Sequence, residues 1–412
     1  MNKKKIAILL PFKDHFTHSK AGSASIWVKD FNQKSKYKNQ ITILGNTEFE
    51  NDLIDKKRYK NLKLKKNNFE SKNSSYVKEF LKQNLISKYD LIEIHNRPSY
   101  VRQIIKSNTK IKIVLIFHNN PITLGGSKST QERKALLNEC DKIIFVSNWV
   151  KERFFDNMDI KSSQKCLVVY PSVQEIKKMP KKENIISFVG KLNKSKGFNI
   201  FGTSVLKILD KYKNWRAIVI GDEPRESYNF KHDRLDYKGW ISHDKALKLY
   251  NKTSISVVPS TWEEPFGRTS MEAASRGCAT IISKKGGLKE TVNHAIFLNE
   301  INHEEVYSKM DLLIKKKDLR RKIQKKLFSN VLHKLSLNNK KIDNYRDEIL
   351  NNFTFNVNKN KKLKILHVSN FGARLSNRLY FISIAKKLSN GFIRLGHDVT
   401  NMSDRDIIKF NR

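Results

Sequence analysis

Pro259-Ser260-Thr261-Trp262-Glu263-Glu264-Pro265-Phe266-Gly267-Arg268-Thr269-Ser270-Met271-Glu272-Ala273-Ala274-Ser275-Arg276-Gly277 follows the apolar run Ile255–Val258. It reads as a buried strand ending in an irregular loop that opens a helix. Pro259 and Pro265 hold the loop, Gly267 lets backbone approach a ligand, and Thr269 or Ser270 is the expected cap of a helix carrying Glu272. The free N–H groups of such a helix start attract an anion or sugar oxygens. Glu264, in the loop, and Glu272, about one turn into the helix, can then meet one ligand at different depths. Two glutamates alone mean little in a chain with 40 acidic residues; each by itself reads as a solvated carboxylate.

Outward from this segment, apolar runs alternate with helix-length amphipathic stretches. One series comprises Ile6–Leu10, Ile41–Leu44, Leu91–Ile94, Ile113–Phe117, Ile143–Val146 and Leu167–Val169; a second comprises Ile185–Val189, Ala217–Ile220, Ile255–Val258 and Thr280–Ile282. Short, nearly continuous apolar strands separated by helices predict parallel sheets covered on both faces. The fold class is therefore α/β, with two doubly wound, Rossmann-like domains joined near Tyr170-Pro171-Ser172. We set them at residues 1–172 and 173–335. Polar, helical sequence from Glu304 to Leu350 and an Asn- and Lys-rich stretch at Asn351–Asn360 predict closing helices and a linker, with the final closing helix and the linker together spanning 336–360. Residues 361–412 restart the pattern, Lys362–Phe371 mirroring Lys4–Phe12, and are expected to be a partial third strand–helix–strand unit rather than an extension of the second domain.

A length of 412 residues suits two domains, and 39% hydrophobic with 29% charged residues suits a globular enzyme. No run approaches the roughly 20 apolar residues that span a bilayer, and Met1-Asn2-Lys3-Lys4-Lys5 leads straight into a strand without an export signal. Cys140, Cys166 and Cys278 are dispersed and odd in number, as in a reducing compartment. A cytoplasmic location is expected. The formal charge of +41 invites an anionic partner, but the lysines are spread among Asn and Ile instead of forming a basic arm with aromatic platforms. Nucleic acid is not expected as a partner; peripheral contact with the inner face of an anionic membrane is.

The Glu264–Glu272 segment, with Gly286-Gly287-Leu288-Lys289-Glu290 downstream, resembles the donor-site signature of family 4 glycosyltransferases of GT-B fold. The resemblance extends through Phe188-Val189-Gly190-Lys191-Leu192, Lys196-Gly197, Ile220-Gly221-Asp222 and Gly239-Trp240-Ile241, covering most of residues 185–292 in the family's order. It implies a retaining, hexosyltransferase-type enzyme that takes a nucleoside diphosphate sugar as donor. The implied acceptor is a hydroxyl of a bacterial surface glycan, of polysaccharide or lipopolysaccharide type, or of its lipid-linked precursor.

The resemblance also assigns residues. Lys191 and Lys196 match the phosphate-binding basic pair, Lys191 standing where arginine is frequent; the charge is kept and bidentate geometry lost. Glu272 matches the ribose-binding glutamate. Glu264 matches the acidic residue beside the donor sugar, where it supports positive charge at the anomeric carbon. Phe266 and Gly267 would offer backbone N–H groups to the sugar, and Gly190 belongs to the same donor motif. Lys20-Ala21-Gly22-Ser23-Ala24 resembles the loop beneath the donor phosphates, with Gly22 alone where two glycines are usual. His118, before Asn119-Asn120-Pro121, matches the histidine beneath the donor sugar. Glu264, His118 and Lys196 are thus the expected catalytic set. His95 and Arg97, in Glu93-Ile94-His95-Asn96-Arg97-Pro98, are expected near the acceptor.

No Asp-x-Asp stands at a strand end of the second domain; Asp404-Arg405-Asp406 lies in the last unit. Neither a metal nor another cofactor is expected, and the charge of the leaving diphosphate would fall to the two lysines and helix N-termini. The rival readings are a nucleotide-sugar epimerase or phosphorylase of the same fold and a non-catalytic basic binding module. Free epimerised donor, phosphate-dependent breakdown or binding without turnover would reveal them.

Overall fold

The structure is a computed structural model that describes residues 4–64, 70–107, 109–351, 363–368 and 385–402. Its first sheet holds β1 (Ile6–Leu9), β2 (Ile41–Gly45), β3 (Tyr59–Asn61), β4 (Leu91–His95), β5 (Lys112–Phe117), β6 (Lys142–Phe145) and β7 (Cys166–Val168), in the order β3-β2-β1-β4-β5-β6-β7. Every pairing is parallel. Period-two alternation sends Ala7, Leu9, Ile92 and Ile94 into one apolar layer and Ile6, Ile8, Leu91 and Val114 into the other, so both faces need covering. The covering helices are α1 (Ser23–Gln33), α2 (Lys72–Ser87), α3 (Pro98–Ile105), α4 (Thr130–Glu139) and α5 (Asn148–Phe155).

The second sheet runs β10-β9-β8-β11-β12-β13, again all parallel. Its strands are β8 (Ile185–Val189), β9 (Arg216–Ile220), β10 (Leu235–Tyr237), β11 (Ile255–Val258), β12 (Ala279–Ile282) and β13 (Ile296–Phe297). Helices α6 (Phe198–Lys211), α7 (His243–Lys252), α8 (Arg268–Ser275), α9 (His303–Lys315) and α10 (Lys317–Ser329) flank it. Both strand orders reverse beside their first strand, between β1 and β4 and between β8 and β11. In open α/β sheets such a reversal opens a crevice at the strands' carboxyl ends. The edge strands β3, β10 and β13 were not anticipated from sequence; at two or three residues they are too short to show a period.

The chain crosses between sheets twice, side by side. Val173 donates to the His333 carbonyl at 3.2 Å, and Leu335 donates to the Val173 carbonyl at 3.2 Å. Helix α11 (Leu335–Leu350) therefore returns to the first sheet, where Ile342, Tyr345 and Leu350 join the apolar layer beneath α1. Arg346, fully buried, forks onto Glu93 of β4 with Nε to Oε1 at 2.7 Å and Nη2 to Oε2 at 2.8 Å.

Residues 351–412 form a separate compact unit. In it β14 (Lys364–Val368) pairs in parallel with β15 (Asp398–Met402), with α12 (Ala385–Arg394) connecting them. This strand–helix–strand unit fits the expected partial third Rossmann-like module. Leu366 and Leu395 are exposed on it. The linker beyond Asn351, Ser369-Asn370-Phe371 and Asp404-Arg405-Asp406 lie outside the described residues. Among the described residues no helix is long and apolar enough to cross a membrane.

Candidate functional site

The signature loop leaves the carboxyl end of β11, beside the strand-order reversal, and turns into α8. Gly267 takes φ +94° and directly precedes α8, whose first turn has no side-chain cap. The expected cap by Thr269 or Ser270 is not found: Ser270 Oγ instead donates back to the Gly267 carbonyl at 2.8 Å. The first N–H groups of the helix thus keep their positive end free of a side chain. Any side chain at residue 267 would clash as well, because a Cβ there would lie 2.4 Å from Leu288 Cδ1. The loop is pinned from outside: Gly287 donates to the Glu264 carbonyl at 2.7 Å, and Ser147 Oγ of the first domain donates to the Pro265 carbonyl at 2.5 Å.

Lys196 closes a short turn after β8, where Asn193 caps its N–H at 3.0 Å. Gly197 follows with φ +72°, and a Cβ there would be 2.0 Å from the Pro259 carbonyl oxygen. That close approach carries Lys196 to the loop. Lys196 Nζ donates to Glu264 Oε1 at 2.6 Å and to Oε2 at 2.8 Å, and Ser260 Oγ adds a bond to Oε1 at 2.9 Å. The Glu264 carboxylate is therefore fixed by three hydrogen bonds from two side chains while 6% exposed. The ammonium, with three hydrogens, retains one beyond the carboxylate pair and lies over Trp262 at 6.0 Å.

Glu272 lies at the other end of the cleft, 4% exposed. His243 Nε2 is 2.9 Å from its Oε1, and Arg268 Nε donates to the same oxygen at 3.1 Å. Burial works to raise its pKa, but His243 and Arg268 together outweigh it and hold the carboxyl down at about 2. Arg268 reaches across the domains with its second arm: Nη2 donates to Asp30 of α1 at 3.0 Å. Trp240 Nε1 donates to the Ser19 carbonyl at 2.7 Å, tying the same two edges together. Arg268, Asp30, His243 and Trp240 were given no role from sequence, since only the packing of α1 against α7 and α8 brings them together.

One cleft between the domains joins these ends. Its deep half is lined by His118, Gly190, Lys196, Trp262, Glu264, Phe266 and Gly267. Its outer half is lined by Gly22, Gly190, Lys191, Trp240, His243 and Glu272, and Ser23, Arg268 and Thr269 border both. Gly22 precedes α1, which also lacks a side-chain cap, and a Cβ on it would meet Asp14 Oδ1 at 2.9 Å. Two uncapped helix starts, α1 and α8, thus border a cleft carrying Lys191, Lys196 and Arg268. That arrangement suits a polyanion with hydroxyl groups at either end.

The remaining expected residues fall differently. Phe266 lines the cleft but is mainly a packing residue, 3% exposed, with ring centroids 5.8 Å from Tyr170 and 5.3 Å from His333. His118, 8% exposed, stands in the deep half at the end of β5. His95 is not at an acceptor surface: it is 0% exposed and packs behind His118, because its place on β4 aims it beneath Trp27 of α1. Burial depresses its pKa to about 3. Arg97 lines neither half; its Nη1 donates to the Asn96 carbonyl at 3.0 Å at the entry to α3. Glu290 of the downstream motif accepts from the Asn148 and Trp149 N–H groups at 2.9 and 2.8 Å, capping α5 across the domain boundary.

Comparison with known proteins agrees with this architecture. The model "Glycosyl transferases group 1" matches residues 171–328, and "Glycosyltransferase Family 4" matches residues 41–175. The chain is similar to the putative glycosyltransferase YtcC of Bacillus subtilis, 27% identical over 51% of this chain and 59% of that protein. It is also similar to the lipopolysaccharide 1,2-N-acetylglucosaminetransferase of Salmonella typhimurium, 23% identical over 49% of this chain and 56% of the relative. The chain thus spans somewhat over half the length of these two relatives. HepE of Anabaena, solved in complex with UDP-glucose, superposes with a TM-score of 0.67 over 83% of this chain and 99% of that one, at 14% identity. That likeness is one of fold, GT-B.

Proposed function

From the chain's membership of glycosyltransferase family 4, we propose that it moves a sugar, with retention, from a nucleoside diphosphate sugar to a hydroxyl of a glycan or lipid-linked glycan. The observation that carries this reading is the pair of buried carboxylates, Glu264 and Glu272, at the two ends of one cleft bordered by uncapped helix starts. A nucleoside diphosphate has the matching shape: a ribose diol at one end for Glu272, a sugar at the other for Glu264, and two negative phosphates between. The complex of HepE with UDP-glucose supports that class of donor. The Salmonella relative, by its name, supports a surface-glycan acceptor.

In the reaction the bond from the anomeric carbon to the phosphate oxygen breaks as the acceptor oxygen bonds to that carbon on the same face. The acceptor's proton passes to the departing phosphate oxygen. Glu264, fixed by Lys196 and Ser260, opposes the positive charge growing on the sugar. Lys191, Lys196 and the two helix starts meet the negative charge growing on the diphosphate. No metal is assigned a part, so a chelator should leave the rate unchanged, and magnesium should not be required.

The net charge of +41 favours residence at an anionic membrane surface, where a lipid-linked acceptor would be met. The test is a screen of uridine, guanosine and adenosine diphosphate sugars by thermal shift, followed by product analysis with the stabilising donor. A glycosylated acceptor with retained anomeric configuration supports the reading. Free epimerised donor, phosphate-dependent breakdown or binding without turnover overturns it.

A further inference from the structure

The ends of β4 and β5 each carry a histidine, and only His118 lines the cleft, His95 being fully buried behind it. His95 Nδ1 lies 2.9 Å from His118 Nε2, with the two rings stacked at 5.2 Å and Trp27 edge-on to both. His118 is also held by its backbone. The Asn96 side-chain carbonyl accepts from the His118 and Asn119 N–H groups at 3.1 and 3.0 Å, a geometry made possible by Asn96 adopting φ +54°.

A hydrogen bond between two neutral imidazoles needs one donor and one acceptor, and each ring has a single N–H. The other nitrogen of His95, Nε2, is buried without a partner among the described residues. With its proton on Nε2, His95 would strand a donor in the core. With the proton on Nδ1, it spends that donor on His118 and leaves only a bare lone pair, the smaller penalty. His95 therefore donates, His118 accepts at Nε2, and the proton of His118 must reside on Nδ1. That atom has no hydrogen-bond partner among the described residues and is not sealed off, so it opens toward the cleft that His118 lines. A doubly protonated pair is opposed by burial of both rings.

We propose that His95 is a positioning residue that locks His118 in its Nδ1–H tautomer, so that His118 presents a hydrogen-bond donor to an oxygen of the bound sugar. The catalytic consequence rests on the transferase reading; the tautomer does not.

The experiment uses the full chain labelled with 15N-histidine, two-bond proton–nitrogen correlation, and the loss of signals in His118→Gln to assign one of the 11 histidines. Expected are a protonated Nδ1 and a bare Nε2 on His118 in the ligand-free protein. His95→Phe should convert His118 to the other tautomer or a mixture and lower kcat about tenfold, the worth of one hydrogen bond, with donor KM little changed. His95→Gln, whose amide can donate to Nε2, should restore both spectrum and rate. A wild-type His118 protonated on Nε2 overturns the proposal, whether or not the variants fold. So does an unchanged tautomer in His95→Phe, or an unchanged kcat despite a switched tautomer. Absence of any transfer by the wild type would sink the transferase reading and leave the spectrum to decide the tautomer.

Discussion

The Lys196 ammonium grips both oxygens of the Glu264 carboxylate, at 2.6 and 2.8 Å, from 68 residues away. A cation expected from sequence at the donor phosphates is thus also the group that orients the carboxylate expected beside the sugar. Such a pair acts as a unit. Glu264→Ala and Lys196→Ala should each lower kcat by about 100-fold or more, and Lys196→Ala should raise donor KM as well. The double variant should be scarcely slower than the worse single one, because each substitution already disables the other residue. Initial rates across a double-mutant cycle measure this; additive losses would mean that the two act separately.

Glu272→Gln should raise donor KM by about 1–3 kcal/mol, expressed as RT ln of the ratio, with a smaller change in kcat, as expected for loss of a ground-state ribose contact. It should also lower the melting temperature, since Arg268 would lose one of the two carboxylates that hold it. An unchanged KM in a folded variant would remove the ribose assignment.

Arg346→Met should cost about 3–5 kcal/mol of stability, because it leaves the Glu93 carboxylate buried and uncompensated. The paired change Glu93→Gln with Arg346→Met should recover much of that loss. Urea unfolding at equal slope would show it.

A chain ending at Asn358 should melt cooperatively and bind the same donor as the full protein, since residues 351–412 form their own compact unit and all the assigned donor residues lie between Gly22 and Glu290. One ending at Lys334 should not fold stably: it lacks α11, and with it Arg346. If the longer truncation product loses donor affinity, the last unit is integral to the enzyme.

Acid should weaken the fold before the carboxylates protonate. Burial lowers the pKa of His95 from 6.5 to about 3 and that of His118 well below its usual value. The unfolded chain therefore takes up protons that the native state refuses. Stability is full above pH 6.5 and is lost as the pH falls from there toward 3, by about 1.4 kcal/mol per pH unit for His95, with His118 acting in the same direction. Calorimetry from pH 7.5 to 4 should show a falling melting temperature, and His95→Phe should make that fall shallower. Equal slopes would place the titration elsewhere.

Much of this molecule was legible in its residues. Runs such as Ile6–Leu10 and Ile113–Phe117 are too apolar and too short for anything but strands buried on both faces, and the helices between them require parallel pairing. The residues from Val189 to Lys196 and from Glu264 to Glu272, expected from sequence to serve one donor, do line one cleft, because strand ends, glycines and carboxylates of these segments are clustered in sequence as well as in space. What the sequence left open depends on which surfaces meet. His95 and His118 occupy similar strand ends, yet only the packing of α1 buries one and leaves the other in the cleft. Arg268 looked like one basic residue among 81 until Asp30, 238 residues away, closed on it. Arg346, in a helix that reads as polar, is anchored in the first domain by Glu93 at a separation of 253 residues. Such contacts leave no local trace: strand and helix patterns follow from each segment's own need to bury apolar surface, whereas ion pairs, tautomers and caps across domains exist only once the segments have docked.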